Sequence, residues 1–152
     1  MTILRARPED APTLTAIAFV AKRHWRYPEE WIEHWRDLLT IQPEFVATHE
    51  VYAASVDDRI AGFYALCPKG GRLELQHLWV LPEFMHRGVG RSLFLHALAC
   101  AKKAGFLEIE IESDPNAEGF YRRMGARRVG INRTTLDGSQ RELPVLIYEI
   151  TK

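Results

Sequence analysis

The stretch LQHLWVLPEFMHRGVGRSL, residues 75–93, decides the fold, because it predicts a buried strand, a short turn and the start of a helix in direct succession. The apolar run stops at Pro82, and Gly88 and Gly90 then lead into a segment with helical spacing. The first N–H groups of a helix have no intrahelical acceptor and carry partial positive charge, and glycines let an anion approach them. Residues 85–92, called the glycine turn below, therefore predict an anion site.

The spacing excludes two common phosphate motifs. The Gly-Lys-Ser/Thr ending of a P-loop is missing, and so is the third glycine of a dinucleotide fingerprint. Taken alone, the Gly-x-Gly pair fits equally well a turn that only redirects the chain from strand to helix. Arg87 and Arg91 add positive charge beside it, which favours a pyrophosphate as the anion.

The rest of the chain predicts an α/β fold with a mixed sheet flanked by helices, in the order β-α-α-β-β-β-α-β-α-β-β. The predicted strands cover residues 2–6, 51–56, 59–66, 73–81, 107–113, 126–134 and 142–150. The predicted helices cover residues 12–21, 28–39, 88–104 and 116–124. Pro144 places the last strand at an edge or a bulge, and an apolar edge over residues 143–150 favours a homodimer.

Length, charge and cysteine content limit the class of protein to which this chain can belong. The 152 residues suit one domain over 1–152, and 20 basic against 20 acidic residues argue against a nucleic-acid partner. The apolar runs are far shorter than the roughly 20 residues that span a bilayer, and charge within the first five residues argues against a signal peptide. Cys67 and Cys100 form neither a disulfide framework nor a metal motif. We expect a cytoplasmic protein without a metal and without a membrane partner.

The strand end and the glycine turn resemble the central motif of the GCN5-related N-acetyltransferases (GNAT family), in its small single-domain bacterial form. Leu78-Trp79-Val80 matches the family's strand end, and Met-His-Arg-Gly-Val-Gly at 85–90 matches its Gln/Arg-x-x-Gly-x-Gly/Ala turn. Met85 replaces the usual polar residue, which removes a side chain but no backbone N–H. A second segment, NAEGFYRRMGA at 116–126, is similar to the family's later motif, in which an Asn precedes a Phe-Tyr pair.

The resemblance implies a sheet whose fourth and fifth strands splay apart, and acetyl-CoA as co-substrate. The implied reaction transfers the acetyl group to a primary amine of a small molecule or peptide, by direct attack in a ternary complex. The residues that it assigns to CoA are Leu78, Trp79, Val80, Met85, His86, Arg87, Gly88, Val89, Gly90, Arg91, Ser92, Asn116, Phe120 and Tyr121.

The resemblance also implies how protons move. Tyr121 occupies the position of a general acid for the departing thiolate. Glu74 is the candidate base, because it lies six residues before Val80 and so shares its strand face. Glu110 and Glu112 are alternatives that would act through an ordered water.

The family's first two helices and their loop line the acceptor site. Here that loop is His-Trp-Arg-Tyr-Pro at 24–28, called the acceptor loop below, and Trp25, Arg26 and Tyr27 are the candidate acceptor-binding residues. Arg26 would meet a carboxylate on the acceptor, whereas the two aromatic residues fit equally well a role in pinning the helices to the sheet. Two other functions share the anion turn: an acyl-CoA sensor without catalysis, and a nucleotide-binding protein.

Overall fold

The computed structural model describes residues 1–150 and contains one seven-stranded mixed sheet, which confirms the predicted fold class. The strands are β1 (Thr2–Arg5), β2 (Glu50–Val56), β3 (Arg59–Lys69), β4 (Arg72–Val80), β5 (Glu108–Glu112), β6 (Arg127–Leu136) and β7 (Ser139–Glu149). The helices are α1 (Ala11–Arg23), α2 (Glu29–His34), α3 (Arg36–Leu39), α4 (Pro43–Thr48), α5 (Val89–Lys103) and α6 (Glu118–Arg123).

The sheet has the order β1-β2-β3-β4-β5-β7-β6. β4 and β5 form its parallel pair, with Leu73 opposite Ile109 and Glu74 opposite Glu110. The pairs β1–β2, β2–β3, β5–β7 and β6–β7 are antiparallel. A parallel β4–β5 pair in this order fits the splayed fourth and fifth strands that the sequence predicts.

The chain divides into two compact units. The first comprises Met1–Leu66 and His77–Leu95, and the second comprises Cys67–Gln76 with the chain from His96 onward. A single acetyltransferase domain over 1–152 stays a prediction, and residues 151–152 lie outside the described part.

The core of the first unit follows the apolar stripe of α1. Four residues of α1 recur at helical spacing and are all buried: Leu14, Ile17, Ala18 and Ala21. Full burial of a leucine or isoleucine side chain stabilises a fold by about 1.5–3 kcal/mol, so the stripe fixes α1 on the sheet.

The segment after the acceptor loop departs from the prediction of one helix over 28–39. The backbone leaves the helical region at Trp35, with φ −89° and ψ 4°, so that α2 ends and α3 begins there. The break shifts the helical phase, so that Ile32 and Leu39 are fully buried whereas Leu38 is exposed. The helix α4 was not predicted, because only Val46 of its six residues is buried and no apolar stripe marks it.

The second unit corrects the prediction of an edge strand at 143–150. β7 lies between β5 and β6, so β6 is the edge. The Pro144 carbonyl accepts the Ser113 N–H at 2.9 Å, and Ser113 lies just past the end of β5. Its ring nitrogen therefore faces the point where β5 stops, where a missing N–H costs little. A homodimer through this hairpin stays a prediction.

Two findings concern residues 1–150 only. No helix there is long and apolar enough to cross a membrane. No three or more His, Cys, Asp or Glu side chains there are grouped so as to hold a metal ion.

Candidate functional site

The glycine turn presents backbone groups at the start of α5. The Ser92 N–H donates to the Gly88 carbonyl at 3.0 Å, so the N–H groups of Val89 and Gly90 precede the first intrahelical bond. Gly88 has φ +82°, and a Cβ added there would meet nothing within 4 Å. An anion can therefore approach this backbone, and the residues fit the pyrophosphate that the resemblance predicts. The Ser92 N–H is already bonded, so its hydroxyl is the group that would meet an anion.

The side chains of the glycine turn add charge around that backbone. The Arg87 guanidinium lies 5.2 Å from the centre of the Phe84 ring, and that of Arg59 lies 5.3 Å from the same ring. Arg59 is also bonded to Glu83 at 3.1 Å, so Arg87 is the guanidinium of this stack that remains for an anion. His86 has φ +61°, a conformation that a side-chain-bearing residue rarely adopts. The turn therefore has a left-handed backbone conformation at two residues, His86 and Gly88.

The end of β4 depends on a glycine that sequence reasoning missed. A Cβ on Gly62 would lie 2.6 Å from the Trp79 carbonyl oxygen, so any other residue there would displace the strand. The Leu81 N–H then donates to the Ala61 carbonyl at 2.8 Å. The available signal was an isolated glycine within a strand pattern. Gly62 thus positions Leu78, Trp79 and Val80, which are all half-buried.

His77 fixes the side chain of Trp79. The Trp79 Nε1–H donates to His77 Nδ1 at 2.9 Å, and His77 is only 5% exposed. Burial lowers the pKa of His77 to about 4, so the ring is neutral near pH 7 with its proton on Nε2. The Phe45 and Phe63 rings lie 6.0 and 6.1 Å from it, and His77 therefore packs in the sheet.

Three aromatic rings surround the ammonium of Lys22, and we call Tyr27, Trp35 and Trp79 the aromatic box. The Lys22 Nζ lies 4.2 Å from the ring centre of Trp35, 5.0 Å from that of Tyr27 and 5.9 Å from that of Trp79. Lys22 is only 8% exposed, and each such contact stabilises a cation by about 0.5–2 kcal/mol. Sequence reasoning missed Lys22, whose only signal was a lysine beside the apolar stripe of α1.

The acceptor loop contains two half-buried aromatic side chains and an exposed arginine. Tyr27 is half-buried in the aromatic box and stacks on Trp31 with 5.8 Å between ring centres, so it pins the loop. Trp25 is half-buried and contacts His24 edge-on, whereas Arg26 is exposed. Arg26 has φ +61°, so the loop turns sharply at this residue. The loop thereby carries one exposed cation between two aromatic rings.

In the second unit, Tyr121 is a buried phenol. It is 7% exposed and packs edge-on against Phe120, with 5.2 Å between ring centres. Burial, reinforced by the charge of Asp114, raises the pKa of Tyr121 far above its usual value. Tyr121 therefore keeps its proton and can donate a hydrogen bond. Asn116 donates its backbone N–H and its side-chain amide to Asp114 Oδ1 at 2.8 and 2.9 Å, which sets its orientation.

The candidate base Glu74 lies in an ion-pair network of the second unit. Lys69 Nζ donates to Glu74 Oε2 at 3.3 Å and to Glu110 Oε2 at 2.6 Å. Arg72 adds a bond to Glu110 at 3.3 Å. These bonds, first that to Glu110 and then that to Glu74, raise the pKa of Lys69. A basic role for Glu74 stays a prediction, and it would require the carboxylate to share or leave Lys69.

Comparisons with known proteins identify acetyltransferases as relatives of this chain. Residues 47–125 match the family model described as an acetyltransferase (GNAT) domain. A spermidine N(1)-acetyltransferase of Thermoplasma acidophilum is 30% identical over 118 residues, which are 68% of this chain and 71% of the relative.

Solved structures share the fold. The PaiA N-acetyltransferase of Thermoplasma acidophilum, in complex with coenzyme A, has a TM-score of 0.76 at 24% identity, covering 97% of this chain and 98% of that one. A GCN5-related N-acetyltransferase of Rhodopseudomonas palustris has a TM-score of 0.81 at 21% identity, covering 97% and 94%.

Proposed function

This chain belongs to the GNAT family of acetyltransferases, and we propose that it acetylates a small primary amine, with the glycine turn holding the pyrophosphate of acetyl-CoA. It is an acetyl-CoA-dependent N-acetyltransferase. The observation that supports acetyl-CoA binding is the backbone of residues 88–90, which lies at the start of α5 and has open surroundings at Gly88.

Acetyl-CoA supplies the acetyl thioester. The Val80 backbone N–H is proposed to polarise the thioester carbonyl, as in the family, and Gly62 supports this role by allowing the close approach of β3. Leu78 and Trp79 complete the strand end. Arg87 and the Ser92 hydroxyl complete the anion site, whereas Val89 contributes backbone only because its side chain is buried.

Tyr121 is proposed to stabilise the departing thiolate. A thiol has a pKa near 8.5, so a phenol with a raised pKa stays protonated and donates a hydrogen bond to the sulfur. Tyr121 would then stabilise the thiolate more by this hydrogen bond than by transferring its proton to the sulfur. Asn116 and Phe120 are proposed to contact the pantetheine arm, as their counterparts in the family do.

The acceptor amine must be neutral to attack, although a free alkyl amine has a pKa near 10. Glu74 is proposed to take that proton, directly or through a water, and it lies opposite Glu110 in the β4–β5 pair. A small acceptor is supported by the relative that acts on spermidine. It is also supported by the short acceptor loop, with Trp25, Arg26 and Tyr27 as the proposed contacts.

Direct transfer makes a kinetic prediction. Initial rates are measured while acetyl-CoA and a primary amine are both varied, and released CoA thiol is the readout. Double-reciprocal lines that intersect are expected, because both substrates must be bound before transfer. Parallel lines would indicate an acyl-enzyme and contradict direct attack. Acetyl-CoA binding without CoA release for any primary amine would contradict the proposed acceptor class.

A further inference from the structure

We propose that Arg87 binds the 3′-phosphate of CoA, so that this enzyme distinguishes acetyl-CoA from a donor that lacks this phosphate. The inference rests on the proposed function and specifies its donor. It assigns the two kinds of phosphate in CoA to two parts of the glycine turn. The pyrophosphate meets the backbone of residues 88–90 at the start of α5, and the ribose phosphate meets a side chain.

Arg87 carries a positive charge that pairs with no carboxylate of residues 1–150. Its guanidinium lies 5.2 Å from the centre of the Phe84 ring, and the residue is exposed, so an anion from solution can reach it. An aromatic ring attracts a guanidinium through its quadrupole but has no net charge. The stack therefore orients Arg87 without neutralising it, and its N–H groups remain for an anion.

Phe84 also carries a second guanidinium, and this one is neutralised. Arg59 lies 5.3 Å from the centre of the same ring and donates to both carboxylate oxygens of Glu83, at 3.1 and 3.2 Å. The carboxylate that lies four residues before Arg87 is thus already engaged. The net charge of the stack is therefore that of Arg87.

Phe84 gives Arg87 a fixed support next to the glycine turn. Residues 82–84 form a 3₁₀ turn between β4 and α5, and the Phe84 N–H donates to the Leu81 carbonyl at 2.9 Å. The Phe84 side chain is buried, with 5% of the residue exposed. Arg87 therefore rests on a residue that precedes the glycine turn, outside the run of N–H groups that begins at Val89.

The two kinds of phosphate in CoA suit these two parts of the turn. The pyrophosphate is attached to the 5′ oxygen of the ribose, and consecutive N–H groups at a helix N-terminus suit it. The 3′ oxygen carries a phosphate monoester with a charge of about −1.5 to −2 and three terminal oxygens, which a planar guanidinium binds through two parallel hydrogen bonds. Arg87 adjoins Gly88, so a ribose attached to a pyrophosphate on that backbone lies within reach of its side chain.

The test compares CoA with 3′-dephospho-CoA, which differs only in this phosphate. Isothermal titration measures both dissociation constants, and the wild-type enzyme should bind CoA about tenfold more tightly. Arg87→Gln should reduce this ratio to less than about twofold by weakening the binding of CoA alone. Arg87→Lys keeps the charge but loses the second parallel bond, and should leave a ratio of about threefold.

The kinetics of the acetylated donors give a second readout. The KM values for acetyl-CoA and acetyl-3′-dephospho-CoA should show the same ratios as the dissociation constants. The kcat should stay unchanged, because this phosphate is at the opposite end of the molecule from the thioester.

Two controls separate a phosphate contact from a general change in the turn. Gly88→Ala strains the backbone and should weaken the binding of both ligands equally, so the ratio should stay unchanged. The double variant Arg59→Gln/Glu83→Gln removes the neutralised pair from the same ring and should also leave the ratio unchanged. The melting temperature shows whether each variant is folded, and the exposed position of Arg87 makes its substitutions mild for stability.

The outcomes separate this inference from the proposed function. Equal binding of CoA and 3′-dephospho-CoA by the wild-type enzyme would overturn the inference. An Arg87→Gln variant that weakens both ligands by the same factor would also overturn it, since Arg87 would then contact the pyrophosphate, and so would a variant that weakens neither. In these cases the proposed function would stand, because CoA is bound and amines are still acetylated. An enzyme that binds neither ligand would contradict the proposed function, and the inference with it.

Discussion

The glycine turn and the aromatic box are built in different ways, although both lie in the first unit. The turn uses the backbone of consecutive residues at the start of α5, with Gly88 in a left-handed conformation. The box uses side chains from the acceptor loop, the break between α2 and α3, and β4, which surround Lys22 of α1. The pyrophosphate site of the turn should therefore tolerate side-chain changes, whereas the box should be sensitive to the replacement of a single side chain.

The largest effect is expected outside both regions, at Tyr121, which is proposed to stabilise the departing thiolate. Tyr121→Phe removes the phenolic O–H and keeps the ring, so kcat should fall roughly 10²- to 10⁴-fold. The KM for acetyl-CoA should change little. Steady-state kinetics check this, with the melting temperature as the control for folding. A kcat within threefold of the wild-type value would remove Tyr121 from the chemistry.

The protein should also lose stability in acid, because His77, which accepts the hydrogen bond of Trp79, is buried in its neutral form. The folded-state pKa of His77 is about 4 and its usual value is 6.5, so between these pH values the unfolded chain binds a proton that the folded chain excludes. Stability is unaffected above pH 6.5 and should fall as the pH drops, by roughly 3 kcal/mol at pH 4.

Urea unfolding of the wild type and of His77→Gln at pH 7 and pH 4.5 checks this prediction, because other acid-sensitive groups cancel in the difference. The wild type should lose more stability than the variant over this interval. Equal losses in both proteins would show that His77 is not kept neutral by the fold.

At Gly88, a substitution should weaken acetyl-CoA binding through backbone strain rather than through the added side-chain volume. Gly88→Ala places a Cβ at φ +82°, which costs about 1–2 kcal/mol, and it should raise the KM for acetyl-CoA roughly tenfold. Gly105→Ala is the matched control, with φ +88° and equally open surroundings at the other end of α5. It should lower the melting temperature similarly without changing that KM. Equal KM values for both variants would argue against an anion site at Gly88.

The smallest effect is expected at Met85. Met85→Gln restores the polar residue common in the family but changes no backbone N–H, so the KM for acetyl-CoA should change less than about threefold. Isothermal titration with CoA measures the same effect on binding directly. A change of tenfold or more would mean that the side chain, and not only the backbone, holds the pyrophosphate.

The two regions also differ in how far the sequence predicts them. The glycine turn is local, so its glycines, the strand before it and the helix after it are all visible in residues 75–93. The mixed fold and the buried face of α1 follow from apolar spacing in the same way.

The aromatic box joins residues that are 57 positions apart between Lys22 and Trp79, and no local pattern predicts such a contact. Gly62 was missed for the same reason, because its neighbour is the Trp79 carbonyl on another strand. The interior place of β7 escaped prediction because Pro144 normally marks an edge. Pro144 is tolerated inside the sheet because its ring nitrogen faces the end of the neighbouring strand β5.

The most direct test of the account is to follow the acetyl group itself. The enzyme is incubated with a small primary amine and with acetyl-CoA that carries an isotope label in the acetyl group. The products are then identified by mass spectrometry. We expect one labelled N-acetylamine for each CoA released, at a rate that Tyr121→Phe lowers through kcat and Gly88→Ala lowers through the KM for acetyl-CoA. CoA release without labelled amine, or labelled amine formed equally fast by both variants and the wild type, would contradict it.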